Sequence, residues 1–179
     1  MRYTLADGIA VKTPSERTFA YIRRYADEMV TVDDRSIARA VLWLLERKKV
    51  VVEGAGAAGV AAVLSAKVRL KGTTVIVISG GNIDAKTLSD LIEREMLRAH
   101  RYFHFFTAVP DRPGGLAALL QVVAQAQGNI MSVNHQRIHP SIPHGWTGVE
   151  LLLEVRDAEH IAYIEEQLRD HGYEVRVLA

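Results

Sequence analysis

YFHFFTAVPDRPGGLAALLQVVAQAQGN, residues 102 to 129, decides the architecture of half the chain. Tyr102 to Val109 is rich in aromatic side chains, the composition of a strand on a half-buried sheet. Pro110-Asp-Arg-Pro-Gly-Gly115 cannot continue that strand and reads as a turn. Leu116 to Gln127 then carries apolar residues at helical spacing, and Gly128-Asn129 stops the helix. Downstream, Ile130 to Ile138 and Gly148 to Val155 alternate as strands do. Between them His139-Pro-Ser-Ile-Pro-His-Gly-Trp146 is too rich in proline for regular structure. Asp157 can cap a helix that reaches His171, Gly172 ends it, and Tyr173 to Leu178 reads as a last strand. The order βαββαβ is that of a ferredoxin-like module.

Upstream of His100-Arg101 the pattern differs. Glu28 to Val32 reads as a strand, Asp33 or Asp34 as the cap of a helix over Ser36 to Lys49, and Val50 to Val52 as a short apolar run. Gly54-Ala-Gly-Ala-Ala-Gly59 leads into a small-residue helix, Val60 to Ala66. Thr73 to Ile78 (TTVIVI) is a continuous β-branched run, as expected of a strand buried on both faces of a parallel sheet. Ser79-Gly-Gly-Asn82 breaks it, and Asp84 to Ala99 is an amphipathic helix with Leu88, Leu91, Ile92 and Met96 inward. The fold class is therefore α/β, with domains expected at residues 1–99 and 100–179.

Composition excludes several classes of function. Hydrophobic residues make up 49% and charged residues 24% of the 179 residues, the balance of a folded globular protein. Twenty-two basic residues against 21 acidic ones leave a net charge of +1, so no global field favours nucleic acid or an anionic membrane. The absence of cysteine removes disulfides and thiolate chemistry and fits a reducing, cytoplasmic setting. Neither a secretory signal nor a membrane-spanning run is expected.

Most local motifs are weak. Gly54, Gly56 and Gly59 have the GxGxxG spacing of dinucleotide folds, but Lys67, Arg69 and Lys71 occupy the region where an acidic ribose partner would stand. Tight helix packing through small residues is the better reading. His100, His104, His135, His139, His144, His160 and His171 form no ligand spacing, so no metal site is expected. No serine lies in a GxSxG context. Ser79-Gly80-Gly81-Asn82, at the end of a strand and the start of a helix, has the form of a ligand-binding turn. A turn serving only chain geometry has the same form.

Taken together, DGIAVKTP (Asp7 to Pro14), TFAYI (Thr18 to Ile22), VVVEGAGAAGVAA (Val50 to Ala62) and SGGNID (Ser79 to Asp84) resemble, in order and spacing, the threonine ammonia-lyases. These are fold-type II pyridoxal phosphate enzymes. DRPGGLAALL (Asp111 to Leu120), VNHQR (Val133 to Arg137) and HGYEV (His171 to Val175) extend the resemblance to the C-terminal ACT domain of the single-ACT form. The expected fold is thus a partial three-layer catalytic layer followed by a ferredoxin-like ACT domain. Ser15, Glu95 and His100 depart from the family, standing where it usually has glycine.

The resemblance implies roles. Ser79 would hydrogen-bond the pyridine nitrogen of pyridoxal phosphate, with Glu53 and Gly54 near the same ring and Gly80, Gly81 and Asn82 shaping the wall. The Schiff-base lysine and the phosphate loop lie, in the family, upstream of the DGIAV motif, and only six residues precede Asp7 here. The lysines of this chain (Lys12, Lys48, Lys49, Lys67, Lys71 and Lys86) match non-catalytic family positions. The expectation is a chain inactive by itself, with an N-terminal catalytic fragment as a partner. In the ACT half, Asp111, Arg112, Pro113, Gly114 and Gly115 would receive an amino-acid effector such as isoleucine or valine, and Asn134 and His135 of a neighbouring domain would close the site. That arrangement expects at least a dimer. The alternative function is a non-enzymatic amino-acid sensor or assembly module.

Overall fold

Asp33 and Asp34 divide two tasks between them. Asp33 accepts the Ser36 amide at 2.7 Å and is the N-cap of its helix. Asp34 turns its carboxylate to the N-terminal segment, accepting the Thr4 hydroxyl at 2.6 Å and the Leu5 amide at 3.0 Å. The computed structural model describes residues 4–136 and 142–178. They divide into the units Met1–Glu95 and Met96–Ala179.

The first unit is helical. A 3-10 turn (Asp7–Ile9) precedes α1 (Glu16–Tyr25), α2 (Asp34–Trp43), which ends in one wide turn (Leu44–Lys48), then α3 (Gly54–Leu64) and α4 (Ala85–Arg98). Ile37, Val41 and Leu44 of α2 and its last turn pack on Val52, Ala57, Val60 and Ala61. The small side chains of Ala57 and Ala61 allow that close approach. Helix α3 starts at Gly54, well before Val60, so the glycine stretch is its first turns rather than a lead-in. Ser15 accepts the Thr18 amide at 3.3 Å and caps α1, whose residues are all exposed.

Two strand expectations in this unit are not met. Glu28 to Val32 and Thr73 to Ile78 form no ladder among the described residues, and the apolar run Val50 to Val52 simply enters α3. Val75 and Val77, expected buried on both faces, are 85% and 80% exposed. A parallel strand takes both its hydrogen bonds and its cover from neighbouring elements. Without such neighbours an apolar sequence supplies only the extended conformation.

The second unit is β1 (Tyr102–Pro110), α5 (Gly115–Gln125), β2 (Asn129–Gln136), β3 (Trp146–Glu154), α6 (Ala158–Asp170) and β4 (Arg176–Val177). Its strands lie in the order β2-β3-β1-β4, all antiparallel, the ferredoxin-like arrangement. Alternate residues of β1, from Phe103 to Val109, are buried with Leu119, Val122 and Val123 of α5 and Ile164 and Leu168 of α6. Each large side chain so buried contributes about 1.5–3 kcal/mol. His160 joins the two helices, its Nε2 lying 2.8 Å from the Ala126 carbonyl and its Nδ1 accepting the Arg156 amide at 3.2 Å.

Helix ends differ in detail from expectation. Gln127, not Gly128, takes the left-handed turn after α5 (φ 61°). A Cβ on Gly128 would sit 3.0 Å from Val123 and 3.1 Å from Leu153, so any larger residue there calls for a small shift of those side chains. Among the described residues the last strand comprises Arg176 and Val177, and the Leu178 amide adds a bond to the His104 carbonyl at 3.0 Å. The end of the expected strand, residues 137–138, and the start of the proline-rich connection, residues 139–141, lie outside the described residues.

Candidate functional sites

The first candidate site is built where α3 begins. A Cβ at Gly54 would lie 2.1 Å from the Leu5 carbonyl oxygen, and one at Gly56 would lie 1.6 Å from that of Ser79. These glycines therefore admit two backbone segments against the helix. Glu53 donates its N–H to the Gly80 carbonyl at 3.2 Å, and its Oε2 accepts the Asn82 amide at 3.1 Å. Gly80 adopts φ 75°, a conformation that favours glycine. Ser79, Gly80 and Asn82 are exposed, Glu53 is half-buried and Gly54 is buried. The five sequence-chosen residues therefore meet in one place.

This arrangement fits one wall of a pyridoxal phosphate site. The Ser79 hydroxyl, without a hydrogen-bond partner among the described residues, is available to an aromatic nitrogen. Its neighbours are backbone groups and glycines that allow a flat ring to approach. Two lysines are engaged elsewhere: Lys86 pairs with Asp90, and Lys48 lies 5.7 Å from the Trp43 ring centroid. Sequence reasoning missed Leu5 and Gly56, whose roles depend on long-range backbone approach.

The second candidate site lies at the end of β1. Gly114 (φ 88°) is the N-cap of α5, and no side chain among the described residues caps the helix. The Gly115 amide donates to the Arg112 carbonyl at 3.0 Å, and the next amides of the first turn form a region suited to negative charge. Gly115 is required by packing, since a Cβ there would lie 2.2 Å from the Pro110 carbonyl oxygen. The loop is tied down by the Asp111 amide donating to the Gly145 carbonyl at 2.9 Å and the Arg112 amide donating to that of Pro110 at 2.9 Å. Pro113 lies just before the N-cap.

A depression of about 400 Å³ opens beside this loop, lined by Val109, Pro110, Asp111, Arg112, Pro113, Leu116, His135 and Thr147. His135 thus lines the depression of its own chain. Asn134 does not line it: it pairs with Glu150, on the sheet face away from the helices, while His135 pairs with the buried Val149. Thr147 was not anticipated. It pairs with Val109, and its hydroxyl donates to the Gln136 carbonyl at 3.2 Å. On the opposite sheet face Glu150 holds His104 at 2.7 Å and the Gln136 side chain at 3.2 Å, joining three strands.

Comparison with known proteins follows the same division. Residues 2–80 match the pyridoxal-phosphate dependent enzyme family, and residues 105–172 match the ACT domain. The L-threonine ammonia-lyase of Thermotoga maritima is 49% identical over 176 residues, 98% of this chain and 44% of that protein. That of Geobacter sulfurreducens is 48% identical over the same shares. The chain therefore spans less than half the length of these relatives. A crystal structure of a T.th. threonine deaminase superimposes on 46% of this chain and 30% of its own, at 40% identity and a TM-score of 0.43. No described helix is long and apolar enough to cross a membrane.

Proposed function

We propose that the chain belongs to the threonine ammonia-lyase family and is the regulatory, C-terminal part of such an enzyme, a reading supported by 48–49% identity to two of them along 98% of its length. In this reading residues 1–99 complete one wall of a pyridoxal phosphate site, and residues 100–179 bind an amino acid that sets activity. The depression beside the α5 start carries the regulatory half of the proposal. An amino acid presents a carboxylate, an ammonium group and a side chain. The open first-turn amides and Arg112 suit the carboxylate, Asp111 suits the ammonium group, and Leu116 offers apolar contact. A branched aliphatic side chain, isoleucine or valine, matches that lining. Asn134 projects from the edge strand β2 and is available to a neighbouring ACT domain, the arrangement proposed for a dimer.

When bound, pyridoxal phosphate would supply the electron sink for eliminating water from threonine; hydrolysis of the dehydrated product then gives 2-oxobutanoate and ammonia, an entry to isoleucine biosynthesis. The contribution of this chain is the Ser79 hydroxyl at the ring nitrogen. A neutral hydroxyl there leaves the nitrogen unprotonated and moderates the sink, which suits elimination over transamination. Gly80, Gly81 and Asn82 hold the wall. The lysine-bearing segment lies, in the family, outside the stretch matched here, so turnover calls for that segment as well, in a cytoplasmic assembly.

The test is reconstitution. The chain is mixed with a polypeptide supplying the family's upstream catalytic segment, and 2-oxobutanoate is measured with threonine as substrate. The expected result is turnover in the mixture, none from the chain alone, and a rate changed by isoleucine or valine. Robust turnover by the chain alone, or an inactive complex, would contradict the proposal. A second reading is a non-enzymatic amino-acid sensor, favoured by the Thr73–Ile78 segment, which has no ladder partner among the described residues. It predicts effector binding with no turnover in any mixture.

A further inference from the structure

Glu53 stands at the N-cap of α3, yet its side chain makes no capping bond to that helix. The carboxylate is directed to a turn 29 residues away in sequence, where Oε2 accepts the Asn82 amide at 3.1 Å. The Glu53 N–H donates to the Gly80 carbonyl at 3.2 Å. These bonds run in opposite directions between the same two segments, so one residue holds the Ser79–Asn82 turn at two points. Gly80 shows how closely the carboxylate sits: a Cβ added there would lie 2.3 Å from Glu53 Oε1 and 2.4 Å from its carboxyl carbon. From the other side, Gly56 leaves room for the Ser79 carbonyl, which would otherwise be 1.6 Å from a Cβ. The turn is thus fixed by a carboxylate and a missing methyl, while the Ser79 hydroxyl itself stays uncommitted among the described residues.

We propose that Glu53 is a positioning residue, whose carboxylate clasps the Ser79–Asn82 turn and thereby presents the Ser79 hydroxyl to the ligand. The naming of that ligand as pyridoxal phosphate rests on the function proposed above. A glutamate here is matched to Gly80: the glycine supplies both the left-handed turn and the space the carboxylate occupies. Aspartate, one methylene shorter, does not span the same gap. Glutamine retains a side-chain oxygen at the same reach and preserves the bond to Asn82 without the charge.

Amide hydrogen exchange by NMR on the full chain tests the clasp directly. Glu53→Ala is expected to lower protection at Asn82 at least about tenfold, whereas Glu53→Gln keeps it within a few-fold. Gly80→Ala places a methyl on the carboxylate and is expected to reproduce the Glu53→Ala loss. In the double variant the added methyl costs less than it does alone, because the obstructing carboxylate is gone. Unchanged Asn82 protection in Glu53→Ala, or failure of glutamine to rescue it, would overturn the clasp. Fluorescence titration of pyridoxal phosphate into the reconstituted assembly tests the role. Glu53→Ala is expected to weaken affinity about tenfold, with glutamine restoring most of it. Equal affinity in wild type and Glu53→Ala would overturn the positioning role. A wild-type assembly that binds no pyridoxal phosphate would overturn the cofactor reading, and the exchange experiment would still decide the clasp.

Discussion

Thr107 carries a hydroxyl in a residue that is 1% exposed, with no hydrogen-bond partner among the described residues. A buried donor without an acceptor costs about 1–3 kcal/mol relative to a paired one. Thr107→Val keeps the shape and removes the polar atom, so it is expected to stabilise the protein by about 1 kcal/mol, measured by urea denaturation. At the effector loop the expectations have the opposite sign. Asp111→Ala removes the proposed ammonium partner, and Gly114→Val forces a β-branched residue into φ 88° at the helix start. Both are expected to weaken amino-acid binding about tenfold or more in calorimetry while the fold survives. A Cβ at Gly114 meets nothing within 4 Å, so the valine cost is one of backbone strain, not collision. Unchanged affinity in both variants would place the site elsewhere. The loop was legible as DRPGG because proline and glycine leave it few alternatives to a turn. Thr147 was not, because its place beside Val109 depends on the register of β3 against β1, which a strand's own alternation does not specify.

The helices of the first unit carry a pH dependence. The Ser36 amide, then its hydroxyl, hold the Asp33 carboxyl below its ordinary 3.8, with Lys67 and Arg35 adding to the effect. The Thr87 hydroxyl and then its amide do the same for Asp84, before α4. A carboxyl with a depressed folded-state pKa stays ionised to lower pH in the folded chain than in the unfolded one. Its stabilisation is present above the unfolded value and is lost as pH falls through the lower, folded value. Circular dichroism is therefore expected to show helix loss as pH drops below about 4. Asn at both positions retains a neutral cap and should flatten that dependence. The Asp157 cap, and the Asp33 cap with Asp34 as its alternative, were readable from sequence because they are local. So were the strands of the second unit, because their partners lie within the same C-terminal unit. Asp84 was read as part of its helix. Thr73–Ile78 was misread because burial on two faces is a property of its neighbours, and β-branching alone cannot provide them.

At the scale of the molecule, exposed apolar surface is the dominant physical fact. Met29, Val75 and Val77 are 79%, 85% and 80% exposed, and Phe19, Tyr21, Ile22 and Tyr25 of α1 are all exposed. The sheet of the second unit ends in β2, an edge strand with an open row of backbone groups among the described residues. Chains of 19.9 kDa with such surfaces are expected to associate, most simply as two-fold dimers. Light scattering at micromolar concentration should give at least twice that mass, and a monomer would contradict it. The central claim is that the depression beside the α5 start holds an amino acid. A ligand that binds only the folded state must raise its melting temperature, by several degrees at about 100 times Kd. The most direct measurement is a thermal shift of the full chain against each of the twenty amino acids, repeated with Asp111→Ala. The account predicts a rise with isoleucine or valine that is lost in the variant; no rise with any amino acid, or a rise the variant retains undiminished, would contradict it.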